Sequence, residues 1–352
     1  TILCLRFARR PVSPASKAPR FCLVKPLQSP RQESLEKLSQ FLLQTKSAGA
    51  ADIYVCSACS GPLDWLEKHP QVTWLKVSAN QALNGKASCL GLAQRYWSGE
   101  IFVVSDSDMA VKREYLEAVL GAFEDPKVGV VTCLYRGWSE RPGPGALLES
   151  LCIQDFAASV LVAERTEGLA FCLGSTMAVR RETLEELGGF EKLAEYLADD
   201  YQLGFRAVQK GWKVALAPTM TETDVGSPDW STAWAHQYRW MVTSRVSRPF
   251  GHAAFLITQG LLWATLLAWW QPLWPLFWCC LRVAAGGVQA KALTGVSENR
   301  FWESLLLPFK DLVFLILWAR SLFGNRVIWG DRELEIGRDG RIVSSRKLER
   351  LS

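Results

Sequence analysis

Between residues 21 and 131, short apolar runs rich in β-branched residues alternate with stretches of helical period, and no other feature constrains the fold as strongly. Strands are predicted over 21–25, 52–56, 72–77, 101–105 and 128–133, with helices between them, for example over 33–46 and 86–97. Strand, crossover helix and strand repeated in this way build a mostly parallel sheet with helices on both faces, the α/β class. In such sheets ligands bind outside the carboxyl ends of the strands. The fourth predicted strand runs straight into Asp106-Ser107-Asp108, so both acids fall at that end.

Downstream, a helical pattern over 147–164 precedes three polar clusters: Gly174-Ser-Thr-Met177, Gly188-Gly189 and Ala198-Asp-Asp-Tyr201. A further helix is expected over 229–247, with Asp229 as its cap. Residues 253–281 then run 29 positions without a charge, longer than the roughly 20 residues that cross a hydrocarbon core. A spanning segment is expected there, kinked or interrupted at Pro272 and Pro275 so that part crosses and part lies re-entrant. A second, more polar candidate covers 301–323, where Glu303, Lys310, Asp311 and Arg320 intervene.

The expected organisation is an N-terminal tail over 1–19 that reads as the remnant of a membrane segment, a catalytic domain over 20–250, a membrane region over 251–325 and a C-terminal tail over 326–352. Arg239, Arg245 and Arg248 precede the first apolar segment. Arg326, Arg332, Arg338, Arg341, Arg346, Lys347 and Arg350 follow the second. By the positive-inside rule the large domain and the tail are both expected on the cytoplasmic face of an integral membrane protein. Five of the sixteen tryptophans, Trp263, Trp269, Trp270, Trp274 and Trp278, lie in the uncharged stretch, as at a membrane interface. The formal charge of +5 is not gathered into a basic tract, which argues against nucleic acid as a partner. Ten cysteines without small-scaffold spacing read as reduced, buried thiols, and Cys56-Ser-Ala-Cys59 has no second pair to complete a zinc site.

Two carboxylates flanking one serine at a strand end can face one crevice and hold Mg²⁺ or Mn²⁺ with a diphosphate. They can equally be turn residues. A phosphatase of the DxDxT type would need a threonine where Ala110 stands. Asp199 and Asp200 stand at an expected helix start, where the dipole favours ionised acids; one reading is a helix cap, the other a general base toward an attacking hydroxyl. On the helix over 229–247, His236, Arg239 and Trp240 fall at i, i+3 and i+4 on one face. Arginine there can steady a departing diphosphate, and tryptophan can stack on a sugar. An interfacial helix touching lipid is the alternative.

Taken in order, Lys25-Pro-Leu27, Asn84-Gly-Lys86, the DSD at 106–108, Val131-Thr-Cys-Leu-Tyr-Arg-Gly137, Gly174-Ser-Thr-Met-Ala178, Gly188-Gly-Phe190, Leu197-Ala-Asp-Asp-Tyr201, Arg239-Trp240, Arg248-Pro249 and Trp329-Gly-Asp-Arg332 resemble the inverting, membrane-bound glycosyltransferases of the ceramide glucosyltransferase type, including bacterial hopanoid-associated enzymes. The similarity covers roughly residues 21–345. It implies a GT-A nucleotide-diphospho-sugar domain, a UDP-sugar donor, a divalent metal (Mn²⁺ or Mg²⁺) and a membrane lipid hydroxyl, of ceramide or a hopanoid, as acceptor. By matching position, Asp106 and Asp108 address metal and diphosphate, Asp200 is the catalytic base with Asp199 beside it, and Arg239-Trp240 close the site. Lys25, Asn84, Lys86 and His236 join the donor-binding set. A processive polysaccharide synthase is a second enzyme reading, and an inactive lipid-binding homologue a third.

Two positions depart from the pattern. Relatives carry an acid just after the second strand, whereas this chain has Val55-Cys-Ser-Ala-Cys-Ser-Gly-Pro62, with Asp64 too far along to replace it. Three residues before Arg-Trp, where glutamine or arginine is usual, stands His236, which can also donate to phosphate.

Overall fold

The computed structural model describes residues 1–17, 19–27, 32–48, 51–77, 84–139, 143–226, 229–294 and 301–348. It forms two compact units, one of residues 10–135 and 163–224, the other of residues 1–9, 136–162 and 225–352.

The first unit is built on an eight-stranded sheet. Its strands are β1 (Phe21–Leu27), β2 (Ala51–Ser57), β3 (Val72–Lys76), β4 (Ile101–Ser105), β5 (Met109–Ala110), β6 (Val128–Trp138), β7 (Thr176–Arg180) and β8 (Lys213–Asp224), in the order β3-β2-β1-β4-β7-β6-β8-β5. The β1–β2, β1–β4 and β2–β3 pairs are parallel, as the alternation predicts. Strand β7 runs antiparallel to both β4 and β6, so β6 runs in the same direction as β1 and β4.

Side-chain alternation explains why helices cover both faces. Phe21, Leu23, Ile53, Val55, Ile101 and Val103 enter one buried cluster with Leu38, Phe41, Tyr115 and Val119. Their neighbours Cys22, Val24, Tyr54, Cys56, Phe102 and Val104 enter the other, with Leu90, Ala93, Leu203 and Ala207. A period of two with both sets apolar is the signature of a central strand buried on both sides. The flanking helices, Gln32–Ala48 and Tyr115–Gly121 on one face and Gly85–Gln94 and Asp199–Gln209 on the other, supply the covering side chains.

The second unit is mainly helical. Trp230–Ser247 begins on Asp229, whose side chain accepts the Thr232 amide, so the expected cap is present. Leu148, Cys152, Ala233, Met241, Val313 and Leu317 form its core. Residues read from the sequence as a C-terminal tail fold into an antiparallel meander of β9 (Arg326–Trp329), β10 (Arg332–Ile336) and β11 (Ile342–Lys347).

The uncharged stretch over 253–281 is not one helix. Pro249–Thr258 and Gly260–Leu267 meet at a 48° bend, and Trp274–Thr294 starts afresh beyond Pro272, with Pro275 in its first turn. The helices part at Gln259, and Gly260 beyond it packs on Trp278: a Cβ there would lie 2.0 Å from the ring, which occupies the space a side chain would need. Each of the two short helices is 10 residues or fewer, about 15 Å at most, half of a hydrocarbon core. The second candidate, 301–323, contains a 15-residue helix, Leu307–Ser321, and it too is shorter than a bilayer. Its Lys310 and Asp311 join Asp155 and Arg282 in a partly buried ion network, where Lys310 lies 2.8 Å from Asp311 and Arg282 2.9 Å from Asp311. Among the described residues, one helix, Pro144–Thr166, is by itself long and apolar enough to cross a membrane, with 56% of its most apolar window buried inside the protein, and the bent pair Pro249–Thr258 and Gly260–Leu267 passes the same test taken together, as a broken span or a re-entrant loop does. A core helix passes the same test of length and composition.

Candidate functional site

The strand order reverses between β1 and β4, the place where open α/β sheets bind their ligands. Val24 is level with Val104, so Lys25 stands beside Ser105, and the chain leaves β4 as Asp106-Ser107-Asp108. Two contacts to β8 hold this turn. The Thr223 hydroxyl donates to the Asp108 carboxylate, and Met109 pairs with Thr223 in the ladder.

Asp106 meets Lys86, whose ammonium lies 2.7 Å from its Oδ1 and also donates to the Gly174 carbonyl at 3.3 Å. Lys86 sits in the first turn of Gly85–Gln94, where the helix dipole disfavours a cation. Burial works against its charge as well, but Asp106, Asp199 and Asp200 together outweigh this and hold its pKa above the ordinary lysine range. Burial raises the pKa of Asp106, and Lys86 opposes the rise.

Gly174 stands at the centre of the group. Because Ser105 is level with Thr176 across the antiparallel β4–β7 pair, the residues just before Thr176 run alongside the DSD turn. A Cβ at Gly174 would be 3.1 Å from Asp200 Oδ2, 3.4 Å from Asp106 Oδ2 and 3.4 Å from Lys86 Nζ. The missing side chain lets two carboxylates and one ammonium close in on this stretch of backbone, with no room for a methyl group between them.

Asp199 and Asp200 open the helix Asp199–Gln209, as the sequence suggested. Asp199 is buried, and its Oδ2 has no hydrogen-bond partner among the described residues. Asp200 Oδ1 accepts the Tyr201 amide at 2.7 Å. Burial, and then the neighbouring Asp199, push the Asp200 pKa up to about 6, against the pull of Lys86. A carboxyl that titrates near neutrality is suited to accept a proton.

Lys25 and Asn84 are placed differently from the donor-binding roles that the resemblance implies. Lys25 follows Phe21 and Leu23 on the same strand face, and its ammonium is fully buried 4.0 Å from the Phe41 ring centroid. It donates to the Asp106 carbonyl at 2.8 Å and the Met109 carbonyl at 3.3 Å. It therefore ties down the backbone of the DSD turn from beneath. Burial lowers its pKa to about 7, although Asp108 and Asp106 resist the drop. Asn84, also fully buried, caps Gly85–Gln94 by accepting the Ala87 amide, and its Nδ2 donates to the Tyr196 carbonyl.

His236, Arg239 and Trp240 belong to the other unit, where their helix face is realised. The His236 and Trp240 rings meet edge to face at 5.0 Å, and the Arg239 guanidinium stacks over Trp329 at 5.7 Å. His236 Nδ1 is 2.5 Å from Oε1 of Glu149, a residue that sequence reasoning missed. The signal was available: Glu149 stands between Leu148 and Leu151 on the apolar face of its helix, and a glutamate so placed needs a buried partner.

The turn after β2 carries no acid, as read. Ser57, fully buried, accepts the Cys59 amide with its hydroxyl, and Asp64 lies exposed in the next short helix. All ten cysteines are free, with burial pushing the Cys56 thiol up while Cys59 is exposed.

The residues fit an open divalent-metal site. Asp106 and Asp108 are hard oxygen donors, and the buried Asp199 Oδ2 is unsatisfied among the described residues. No group of three His, Cys, Asp or Glu side chains gathers into a closed cage among the described residues. Magnesium-type sites for diphosphates use one or two carboxylates, with phosphate and water completing the shell.

The sheet order, the acids at its switch point and the helices on both faces define the GT-A fold of nucleotide-sugar glycosyltransferases. The family model for glycosyl transferase family 21 matches residues 64–342, and the chain belongs to that family. Among solved structures, the mannosyltransferase PcManGT of Pyrobaculum calidifontis, in complex with GDP-Man and Mn²⁺, is similar over 91% of this chain and 92% of that one, with a TM-score of 0.54 and 19% identity. Residues 1–349 of S. aureus TarS, in complex with UDP-GlcNAc, align over 95% of this chain and 100% of that one at 14% identity and a TM-score of 0.45. The probable glycosyltransferase YdaM of Bacillus subtilis (strain 168) is 26% identical over 184 residues, which is 50% of this chain and 42% of YdaM's length.

Proposed function

We propose that the protein transfers a hexosyl group, glucose or N-acetylglucosamine, from a UDP-sugar to the hydroxyl of a membrane lipid, ceramide or a hopanoid, by an inverting single displacement. The observation that carries this reading is the convergence of Asp200, Asp106 and Lys86 on Gly174. Asp200, with a pKa near 6, takes the proton of the attacking hydroxyl, and Asp199 beside it keeps that pKa up. Asp106 and Asp108 hold the divalent cation, which when bound offsets the charge of the diphosphate. Lys86 adds a donor for the same oxygens, and Lys25 and Asn84 keep the DSD turn and the Lys86 helix in place. His236, Arg239 and Trp240 are assigned to the departing diphosphate on the family resemblance.

The lipid acceptor is supported by the surface of the helical unit. Phe250 and Phe323 are each 91% exposed, Trp269 90% and Trp270 79%, and aromatic residues of this kind are enriched where protein meets headgroups. The broken helices over 249–294 are placed in this reading partly within the bilayer, with the catalytic unit on the cytoplasmic face. Lipid mass spectrometry of cells expressing the chain or its Asp200→Asn variant tests the proposal. A new glycolipid one hexose or N-acetylhexosamine heavier than ceramide or hopanoid is expected with the wild type alone. Equal lipid profiles in the two strains, with both proteins folded, would reject it.

A further inference from the structure

The Lys86 ammonium contacts Asp106 at 2.7 Å and its second donor goes to the Gly174 carbonyl at 3.3 Å. Three carboxylates of the site, Asp106, Asp199 and Asp200, act on it together. The other oxygen of Asp106 is turned to Gly174. The ammonium thus neutralises the same carboxylate that a divalent cation would use. A divalent ion placed on Asp106 with Lys86 unmoved would face a like charge across a few ångströms of poorly screened space.

We infer that Lys86 is an internal stand-in for the metal, which keeps divalent cations off Asp106 until a nucleotide diphosphate draws the ammonium away, so that metal and donor bind as a coupled pair. The inference rests on the functional reading above, and it concerns the order of binding, which that reading leaves open. Three features support it. Lysine is a point charge on a long flexible stem with rotatable donors, so it can exchange a carboxylate for a phosphate oxygen without moving its helix. That helix is anchored independently by the Asn84 cap, which donates to Tyr196 and accepts from Ala87. Released from Lys86, Asp106 would present both oxygens beside Asp108, while Asp199 Oδ2 is already unsatisfied among the described residues. Binding of one ligand then removes an obstacle to the other, and by linkage each tightens the other by the same factor.

The test is Mn²⁺ binding to the purified full chain, read by the loss of the free-ion electron paramagnetic resonance signal, with and without UDP. For the wild type, UDP is expected to tighten Mn²⁺ about tenfold or more. In Lys86→Met, Mn²⁺ alone should bind several-fold tighter than to the wild type, and the UDP enhancement should shrink to a factor of about two. Lys86→Gln keeps a donor to Asp106 without the charge and should behave like Lys86→Met, which covers the case where the methionine variant folds poorly. Lys86→Arg should retain weak binding of Mn²⁺ alone. If the wild type takes up Mn²⁺ with UDP but neither neutral variant binds Mn²⁺ alone more tightly, the stand-in role is wrong and the metal site survives. If the wild type takes up no Mn²⁺ even with UDP, both fall together.

Discussion

His236 Nδ1 lies 2.5 Å from Glu149 Oε1, and the glutamate side chain is only 6% exposed. Nδ1 is engaged by the glutamate, so Nε2 is the nitrogen left for other partners. Replacing His236 by alanine strands a buried carboxylate, whereas Glu149→Gln leaves a neutral group. His236→Ala should cost about 1–3 kcal/mol, more than Glu149→Gln. The double variant should cost less than the sum, because the two share one interaction. Urea unfolding of the four proteins measures the cycle, and additive costs would contradict a coupled pair.

The pH dependence of Asp200 has a definite sign. Its folded pKa, about 6, lies above its ordinary value. The stability it contributes is therefore fully present below the unfolded pKa, near 4, and is lost as pH rises through about 6. Asp200→Asn should gain up to about 3 kcal/mol over the wild type at pH 8 and show little of that gain at pH 4. Transferase activity of the wild type should rise through about pH 6 as the base form appears, and the asparagine variant should lose at least about a hundredfold. Thermal unfolding at both pH values, beside a pH–rate profile, checks the two together.

Gly174 has no positive φ, so its backbone would accept alanine. The added Cβ would press on Asp200 and Asp106 at 3.1 and 3.4 Å. Gly174→Ala should change the melting temperature little and lower turnover by about tenfold or more, as misplacement at a reacting centre does. Wild-type turnover in this variant would mean that the close approach of Asp200 and Asp106 to Gly174 plays no part in catalysis.

For Lys25 the sign is the opposite one. Burial holds its pKa down at about 7, so its contribution to stability is present above the unfolded pKa and is lost as pH falls through about 7. Relative to Lys25→Met, the wild type should gain about 1.4 kcal/mol per pH unit between pH 7 and 10. Urea melts of both proteins at pH 7, 8 and 9 give the slope. Parallel curves would mean that the lysine stays charged in the fold.

Trp269 and Trp270 project from the turn between two apolar helices. Changing both to serine should weaken binding to lipid vesicles by about tenfold or more, since each indole removed forfeits a large apolar contact with the bilayer. Unfolding should be unaffected, because neither ring is part of a core. Flotation with phosphatidylcholine vesicles measures it, and unchanged flotation would move the lipid contact elsewhere.

Much was legible in the sequence wherever the physics is local. Period-two alternation of residues such as Phe21, Cys22, Leu23 and Val24 records two buried faces, and it placed β4 at Ile101–Ser105 with the DSD turn at its end. The Asp229 cap was readable for the same reason, since a cap is an interaction between residues three apart, and the helix start at Asp199 was readable from its acidic first turn, although Ala198 holds the cap position and makes no side-chain cap bond. Side-chain direction and distant neighbours were not. That Lys25 lies beneath the turn follows from Phe41 packing on its strand face, which no spacing reports. That Gly260 lies against the Trp278 ring is likewise a contact made only after the chain folds back. The sequence alone determined that Asp106 follows a strand and that Asp200 begins a helix, and it left Gly174 in a polar cluster with no element assigned. Only the tertiary structure decided that the three meet beside Lys86, because the order and direction of β4 and β7 set which strand ends stand side by side.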